Sequence, residues 1–453
     1  MDKITRALER TTDTRYCILG AGVVSRSGEV FARTFPGKKA VIVADTRTWK
    51  VAGEKVEQSL NEEGIEQESP YIFDDPDFYA EWKYVERLDS YLRNRDLICI
   101  AVGSGVINDL VKYVSGSLGR QYMCVGTAAS MDGYTAYGAS ITKDGNKQTF
   151  SCPAPEAIVM DSAIAAEAPK ELAASGYADL MAKIPAAADW MLADCVGSEK
   201  IDPFSWSLVQ EGLKESISSP ESIRTGDVAA TEALCEGLLM SGFAMQALQS
   251  SRPASGTEHQ FSHFWDMEAL SYPDGRHVSH GFKVGIGTLV STAALEFLLD
   301  KGVDADIDAL VAKWPLWEEM EKQIRILCAG RPGHLSRCLE ESKNKYVSPE
   351  ELRTQLETLQ AAWPELSCRI REQILPFSTV YSNLKAVGAP YEPEMIYVSR
   401  AHLMQTLSVI PYMRNRFASI DVLHRLGYMD EFRESLFGKG ARWEVKTFSS
   451  RVL

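Results

Sequence analysis

The sequence of 453 residues predicts an α/β domain built on a parallel sheet, followed by an all-helical domain. In the first third of the chain, short β-branched runs alternate with helical segments, which is typical of parallel sheets. After Pro169 the apolar patterns are helical, and no convincing strand occurs. We therefore expect an α/β domain over residues 1–168 and a helical domain over residues 169–453.

The predicted sheet has three strongly apolar strands, at "KKAVIVAD" (38–45), "DLICIAVGSG" (96–105) and "QYMCVGTAAS" (121–130). Helical segments follow the first two of these strands. The segment 140–161 predicts a short hairpin around Lys-Asp-Gly-Asn and then a further strand. In the second domain, the apolar run 284–299 is too short to span a bilayer and predicts a buried helix, so no membrane partner is expected.

Composition and net charge indicate which binding partners and which cellular compartment to expect. The net charge is −14, whereas a sequence-independent grip on nucleic acid needs a basic surface, so no nucleic-acid partner is expected. The nine cysteines are scattered and never form C-x-x-C, which is typical of reduced thiols in a cytosolic protein. The charged amino terminus lacks the apolar segment of a signal peptide, and we expect a cytoplasmic protein.

A glycine-rich turn, Gly103-Ser104-Gly105, joins the second predicted strand to a helix. Glycines let a backbone approach an anion, and the helix that follows offers unpaired N–H groups and the positive end of its dipole. This arrangement predicts the phosphate-binding turn of a Rossmann-like dinucleotide-binding domain. A tight strand-to-helix turn without a ligand is an equal alternative for so short a motif.

Two other strand ends carry polar side chains. Asp45 ends the first predicted strand, where a carboxylate can accept a hydrogen bond from a ribose 2′-hydroxyl and so favour NAD over NADP. The alternative is that Asp45 caps the helix that follows. After the third strand, Thr127, Ser130 and Asp132 lie in one loop. Because the carboxyl ends of parallel strands share one crevice, we expect these residues near the glycine-rich turn.

Four of the seven histidines, His259, His263, His277 and His280, lie within one short window. His259 and His263 are four residues apart, so they would share one face of a helix. Two neutral imidazoles with one carboxylate would suit Zn, Fe, Ni or Co and leave positions for a substrate. The alternative is that these histidines only satisfy local hydrogen bonds.

The carboxylate would come from "SGYADLMAKIPAAADWML" (175–192). Asp179 lies there among small apolar residues, where burial without a partner would be costly and a metal would be a suitable partner. An exposed ion pair between Asp179 and Lys183 is the alternative, and Asp189 is a rival ligand. For a phosphate on the substrate, Arg252 and Lys283 are candidates, as are N–H groups at a helix end.

The order of these motifs resembles one family. A strand that ends in Asp, then "GSGVIND", "GTAASMDG", "GYADLMAK", "SGTEHQFSH" and "HGFKVGIGTL", is similar to the sn-glycerol-1-phosphate dehydrogenases, particularly the bacterial AraM-type members. These belong to the superfamily of glycerol dehydrogenase, iron-containing alcohol dehydrogenases and dehydroquinate synthase. The resemblance covers residues 38–287 and resumes weakly at 384–433. It implies a dehydroquinate synthase-like fold, with a Rossmann-like first domain and a helical second domain.

The resemblance also implies roles for individual residues. It implies Asp179, His259 and His280 as metal ligands and Asp132 and His263 as substrate contacts, whereas His277 matches no ligand. We further predict that Asp179 contacts the substrate and that Asp132 and His263 are catalytic. The implied cofactor-binding residues are Asp45, Gly105, Val106, Ile107, Asn108, Asp109, Thr127 and Ser130, and the glycine-rich turn adds Gly103 and Ser104 to the prediction.

The activity implied by the resemblance is the reversible reduction of dihydroxyacetone phosphate to sn-glycerol 1-phosphate by NAD(P)H. It implies one divalent metal, Zn or Ni, acting as a Lewis acid, and a homodimer; Asp45 favours NAD. Our hypothesis is that water relayed by His263 or Asp132 supplies the proton. Two alternatives stay open. One is a glycerol dehydrogenase or related metal-dependent alcohol dehydrogenase for an unphosphorylated polyol. The other is a catalytically silent, nucleotide-binding regulator.

Overall fold

The computed structural model describes residues 3–446, so residues 1–2 and 447–453 of the two predicted domains lie outside the described residues. The described chain forms two compact units. The first comprises the described part of Met1–Leu180 with Pro203–Ala254 and Ala386–Ala389, and the second comprises Met181–Asp202, Ser255–Lys385 and the described part of Pro390–Leu453. Compact units are not necessarily domains that fold independently. The predicted domain boundary between residues 168 and 169 therefore stays a prediction.

A parallel sheet is the centre of the first unit. The strands of the chain are β1 (Tyr16–Gly20), β2 (Ala40–Asp45), β3 (Tyr71–Phe73), β4 (Ile98–Gly103), β5 (Tyr122–Gly126), β6 (Ala139–Lys143), β7 (Asn146–Phe150) and β8 (Ala157–Asp161). Six of them form one sheet in the order β1-β8-β5-β4-β2-β3, and every neighbouring pair is parallel. The predicted α/β architecture with a parallel sheet is therefore confirmed.

Two strands of this sheet were not predicted, so the predicted strands take higher ordinal numbers in the structure. β1 and β3 lie at the two edges of the sheet, and most of their residues are only half-buried. Edge strands of three and five residues lack the continuous apolar run that marks a strand buried on both faces. Consequently Asp45 ends the second strand rather than the first, and the glycine-rich turn follows the fourth strand rather than the second.

The predicted hairpin is confirmed as the antiparallel pair β6 and β7, separate from the main sheet. Its turn residues Asp144 and Gly145 have φ angles of 52° and 76°. Two consecutive positive φ angles are what a two-residue hairpin turn requires, and Asp-Gly is among the sequences that adopt them most readily. The local sequence alone accounts for this element.

Helices make up most of the remaining chain. They are α1 (Lys3–Leu8), α2 (Ser27–Thr34), α3 (Thr46–Thr48), α4 (Glu54–Glu62), α5 (Trp82–Leu92), α6 (Gly105–Ser117), α7 (Ser162–Glu167), α8 (Lys170–Met181), α9 (Lys183–Cys195), α10 (Pro203–Gln210), α11 (Leu213–Ser216), α12 (Pro220–Thr225), α13 (Val228–Leu248), α14 (Thr257–Met267), α15 (His280–Lys301), α16 (Ile307–Lys313), α17 (Trp317–Leu327), α18 (Pro332–Lys345), α19 (Pro349–Gln373), α20 (Phe377–Val387), α21 (Arg400–Val409), α22 (Ser419–Arg425) and α23 (Met429–Phe437). Short 3₁₀ turns lie at Val23–Arg26, Arg252–Ala254, Pro393–Ile396 and Ile410–Tyr412, and a π turn lies at Trp49–Gly53.

Helices α10 to α13 belong to the same compact unit as the sheet, although they follow the predicted domain boundary. The reason is packing, since α13 contacts α7, α10 and β1. The side chain of Gln246, fully buried on α13, also accepts hydrogen bonds from the backbone N–H groups of Asp13 and Thr14, at 2.9 and 3.0 Å. These long-range contacts could not be read from the local sequence.

The second unit is helical, and α14 and α15 form its most extensive helix pair. The predicted buried helix at 284–299 is confirmed within α15, which is longer than the apolar run. Gly287 of α15 allows the close approach, because a Cβ there would lie 2.4 Å from the carbonyl oxygen of Glu258 on α14. The pairing brings His280, the first residue of α15, to the helix that carries His259.

Within residues 3–446, two helices are long and apolar enough to cross a membrane by length and composition alone. They are Val228–Leu248 and His280–Lys301, and 61% and 78% of their most apolar windows are buried within the protein. The core helices of globular proteins meet the same two criteria, so the finding is weak evidence for a membrane span.

Candidate active site

The carboxyl-terminal ends of three predicted strands lie side by side in the sheet. β2, β4 and β5 are neighbours, and Gly103 at the end of β4 is in register with Gly126 at the end of β5. The backbone N–H of Thr127 donates a hydrogen bond to the carbonyl of Gly103, at 3.2 Å. The expectation that these turns meet at the carboxyl edge of a parallel sheet is confirmed.

The glycine-rich turn leads directly into α6. A Cβ on Gly103 would lie 2.6 Å from Cγ1 of Ile107, so the tight turn from strand to helix requires glycine there. Ser104 occupies the N-cap position but makes no side-chain capping hydrogen bond. Helix amides that no side chain caps, at the positive end of the helix dipole, are suited to bind a phosphate.

The residues of this turn differ in accessibility. Ser104, Gly105 and Val106 are half-buried, whereas the three that follow are buried. Asn108 accepts a hydrogen bond from the Tyr122 hydroxyl at 3.0 Å, and Asp109 Oδ2 accepts one from the backbone N–H of Ser140 at 3.2 Å. Burial raises the pKa of Asp109 to about 6. The buried residues thus hold the base of the turn, and its accessible part is 104–106.

Asp45 forms the N-cap that was weighed as the alternative to a ribose contact. Its Oδ1 accepts hydrogen bonds from the backbone N–H groups of Arg47 and Thr48, at 2.7 and 2.8 Å. The Thr48 hydroxyl in turn accepts from the Asp45 N–H, at 3.1 Å, which completes a capping box. Both capping bonds use the same carboxylate oxygen, and the ribose contact stays a prediction.

The loop after β5 is held in place by buried polar contacts. The ammonium group of Lys112 donates to the carbonyls of Gly133, Ala136 and Gly138, at 2.8, 2.7 and 3.2 Å. Asp132 is 8% exposed, and its Oδ2 accepts a hydrogen bond of 2.8 Å from the Ser241 hydroxyl. The Asp132 N–H donates to Oδ2 of Asp179, at 3.2 Å. In the same loop, the Ser130 hydroxyl lies 3.3 Å from that of Tyr134.

Two glycines that were not predicted as site residues let helices reach this loop. A Cβ on Gly176 of α8 would lie 2.1 Å from the carbonyl oxygen of Ala129. A Cβ on Gly242 of α13 would lie 1.9 Å from the Thr135 hydroxyl. Glycines inside helices cost stability relative to alanine, and that cost was the one signal in the sequence that could have marked these contacts.

His259 and His280 lie together, with ring centroids 5.3 Å apart. Nδ1 of His259 lies 2.8 Å from Glu258 Oε1, and Nδ1 of His280 lies 3.2 Å from the Ser262 hydroxyl. Asp179, the predicted carboxylate ligand, lies on α8 of the first unit. Two imidazoles whose second nitrogens already have partners, with one carboxylate, are a donor set that fits Zn, Ni or Fe.

Glu258 is a residue of this region that the sequence interpretation missed. It is fully buried, and its Oε1 also accepts a hydrogen bond from the backbone N–H of Gly256, at 2.6 Å. Burial raises its pKa to about 7. A glutamate directly before a candidate histidine ligand is a signal that could have been noticed, since helices seldom bury a carboxylate without a partner.

The two acidic residues considered as the carboxylate ligand, Asp179 and Asp189, make different contacts. Asp189 accepts backbone hydrogen bonds of 2.7 Å at both oxygens, from Thr257 and from Ser419. It therefore joins the amino-terminal ends of α14 and α22, which is a structural role. Asp179 and Lys183 are both fully buried, so the solvent-exposed ion pair is wrong.

The other predicted site residues differ in their burial and in their charged neighbours. His263 is half-buried, and burial together with the charge of Arg414 holds its pKa well below the usual value. Lys283 forms a buried ion pair with Asp266. Arg252 is fully buried in the first unit. His277, which matches no ligand of the family, is exposed.

Comparison with known proteins gives a consistent result. A family model for iron-containing alcohol dehydrogenases matches residues 18–169. A glycerol-1-phosphate dehydrogenase (NAD(P)+) of Bacillus licheniformis is 31% identical over 316 residues, which are 68% of this chain and 78% of that protein. The protein of the same name from Geobacillus thermodenitrificans is 34% identical over 253 residues, which are 55% of this chain and 62% of that protein.

The chain thus spans less than two thirds of the length of some curated relatives, and more of others. Among solved structures, the glycerol dehydrogenase of Schizosaccharomyces pombe has a TM-score of 0.58 at 16% identity, covering 97% of this chain and 96% of that chain. At that identity the likeness concerns the fold, and it confirms an α/β region joined to a helical one. The chain belongs to the glycerol-1-phosphate dehydrogenase family, within the iron-containing alcohol dehydrogenase superfamily.

Proposed function

We propose that the chain catalyses the reversible, metal-dependent reduction of dihydroxyacetone phosphate to sn-glycerol 1-phosphate by NAD(P)H. The observation that supports this most directly is the pairing of His259 and His280, with ring centroids 5.3 Å apart, in a member of this family. A three-residue donor set leaves coordination positions for a substrate, as catalytic metal sites require.

In this proposal Asp179, His259 and His280 hold one divalent metal, Zn or Ni. When bound, the metal supplies Lewis-acid polarisation of the substrate ketone, and the nicotinamide supplies the hydride. Asp179 also contributes to substrate binding. Its Oδ2 accepts the N–H of Asp132 at 3.2 Å, which restrains the carboxylate before any ligand arrives.

The cofactor would bind at the carboxyl edge of the sheet. The uncapped first turn of α6 and the accessible residues Ser104, Gly105 and Val106 would receive the pyrophosphate. Thr127 borders the same edge, and Ser130 follows in the same loop. We propose a preference for NAD, because the Asp45 carboxylate, through the oxygen not used in capping, would accept from a ribose hydroxyl and repel a 2′-phosphate.

His263 and Asp132 are the proposed catalytic side chains of the proton transfer. His263 lies one helical turn after His259 and is half-buried, so one edge of its ring can meet water or substrate. Asp132 is oriented by the Ser241 hydroxyl. A water molecule held by either group would deliver the proton to the substrate oxygen.

The substrate phosphate has to be bound by cations or N–H groups. Of the candidate cations, Lys283 is already neutralised by Asp266, so a phosphate would compete with that carboxylate. This balance keeps open the alternative that the true substrate is an unphosphorylated polyol. We further propose a homodimer and a cytoplasmic location, the latter because none of the nine cysteines, all in the described range, forms a disulfide.

The deciding experiment measures NADH and NADPH oxidation with dihydroxyacetone phosphate and with dihydroxyacetone. The protein is first treated with a chelator and then reloaded with Zn, Ni, Fe or Mg, and the product stereochemistry is determined. Metal-dependent turnover of the phosphorylated ketone to the sn-1 product supports the proposal. Preference for dihydroxyacetone would replace it with a glycerol dehydrogenase. Binding of NADH without any turnover would instead indicate a silent nucleotide-binding regulator.

A further inference from the structure

We propose that Glu258 is a positioning residue whose carboxylate holds the imidazole of His259 with Nε2 directed to the metal. The inference rests on the proposed function, because it assigns to Glu258 the task of preparing a ligand. It concerns three residues of the second unit, Gly256, Glu258 and His259, which are consecutive or nearly so in the chain.

The hydrogen-bond geometry supports one protonation pattern for His259. Oε1 of Glu258 accepts from the Gly256 N–H at 2.6 Å and lies 2.8 Å from Nδ1 of His259. A carboxylate oxygen has a second lone pair for another donor, and we assign that donor as Nδ1–H of His259. Nε2 is then the unprotonated nitrogen, which would bind the metal.

Burial makes this contact strong. Glu258 is 0% exposed and His259 is 8% exposed, so water does not compete for the hydrogen bond. The backbone of Glu258 is equally confined, because Gly287 of α15 approaches its carbonyl closely. The Glu258 side chain therefore extends from backbone that lies at the contact between α14 and α15, the helices that carry His259 and His280.

The second histidine ligand differs in its partner. Nδ1 of His280 contacts the neutral hydroxyl of Ser262 at the longer distance of 3.2 Å. A carboxylate partner makes an imidazole a more basic ligand than a hydroxyl does. We therefore expect His259 to contribute more to metal affinity through its partner than His280 does.

The test is Glu258→Gln, with Glu268→Gln as the matched control. Glutamine keeps the shape and one acceptor oxygen but removes the carboxylate charge. Glu268 also lies against a histidine, with its Oε2 2.8 Å from Nε2 of His402, and His402 is not one of the proposed ligands. Metal affinity is measured on the full chain by competition of Zn²⁺ with a chromogenic chelator, and Co²⁺ absorption spectra report the ligand field.

We expect E258Q to bind Zn²⁺ about 10- to 100-fold more weakly and to shift the Co²⁺ bands, while E268Q matches the unmodified protein. Equal affinity in E258Q, E268Q and the unmodified protein would overturn the inference. Failure of the unmodified protein to bind one metal per chain would instead refute the proposed function, so the two failures are distinguishable.

A measurement without any substitution covers the case in which E258Q does not fold. In the Zn²⁺-loaded protein labelled with ¹⁵N-histidine, long-range ¹H–¹⁵N spectra identify the protonated nitrogen of each ring. His259 should carry its proton on Nδ1. A His259 with Nδ1 unprotonated would contradict the assignment of Glu258, whatever the variants do.

Discussion

The strand-end turns and the histidine pair offer different groups to a ligand. By strand-end turns we mean Asp45, 103–109 and 127–132, and by the histidine pair His259 and His280. The strand-end turns offer backbone N–H groups, as in the first turn of α6, which no side chain caps. The histidine pair offers ring nitrogens, and Nδ1 of each ring lies against a side chain, Glu258 or Ser262.

The difference concerns what each region needs in order to work. Backbone N–H groups at a helix end bind an anion through their position alone. A metal ligand must have one particular ring nitrogen unprotonated and directed correctly, which requires further side chains around it. We therefore expect substitutions in the two regions to separate cofactor binding from metal binding.

The largest effect is expected from His259→Ala in the histidine pair. Removing one of three ligands should abolish stoichiometric metal binding and lower turnover about 1000-fold or more, since Lewis-acid stabilisation contributes several kcal/mol. Metal content by elemental analysis and steady-state kinetics check this. The exposed His277 provides the control, as H277A should retain both. An H259A protein with full metal content would remove His259 from the site.

His263→Ala tests whether the neighbouring helix face serves catalysis rather than metal binding. We expect turnover to fall about 100-fold, a typical loss for a group that transfers protons, with metal content nearly unchanged. The two quantities are measured on the same preparation. If metal content and turnover fall by equal factors, His263 belongs with the ligands and not with the proton transfer.

Gly103→Ala examines the strand-end turns. The added Cβ would lie 2.6 Å from Ile107, so the turn must shift, and we expect about 10-fold weaker NADH binding with metal content retained. Fluorescence titration of NADH measures the affinity. Gly333→Ala is the matched control, because its Cβ would meet only Met267, at an ordinary 3.7 Å. Unchanged NADH binding in G103A would place the cofactor elsewhere.

The smallest effect is expected from Asp45→Asn. Asparagine caps helices as well as aspartate does, so thermal stability should not change. If the carboxylate also selects the cofactor, the preference for NADH over NADPH should fall about 3- to 10-fold, the value of one charged hydrogen bond. The ratio of kcat/KM for the two cofactors measures it. A constant ratio would leave Asp45 with its capping role alone.

Much of the first unit was predictable because its signals are local. The strands β2, β4 and β5 are continuous apolar runs, and the Asp-Gly hairpin needs only its own turn residues. The edge strands β1 and β3 were missed, since half-buried strands of a few residues have no distinctive pattern. The candidate ligands Asp179, His259 and His280 were predicted from motif resemblance, and within the second unit the ring centroids of His259 and His280 lie 5.3 Å apart.

The sequence by itself determined where the buried strands lie along the chain, where the turn at Gly103 starts a helix, and how His259 and His263 are spaced. Each of these features depends only on neighbours along the chain. Only the tertiary structure showed how Asp179 and Asp189 differ in their contacts, since both are acidic residues in the same apolar stretch. Asp189 has both oxygens occupied by the amides of two helices that lie far from it in sequence. Contacts of that kind arise when the chain packs, and no local pattern encodes them.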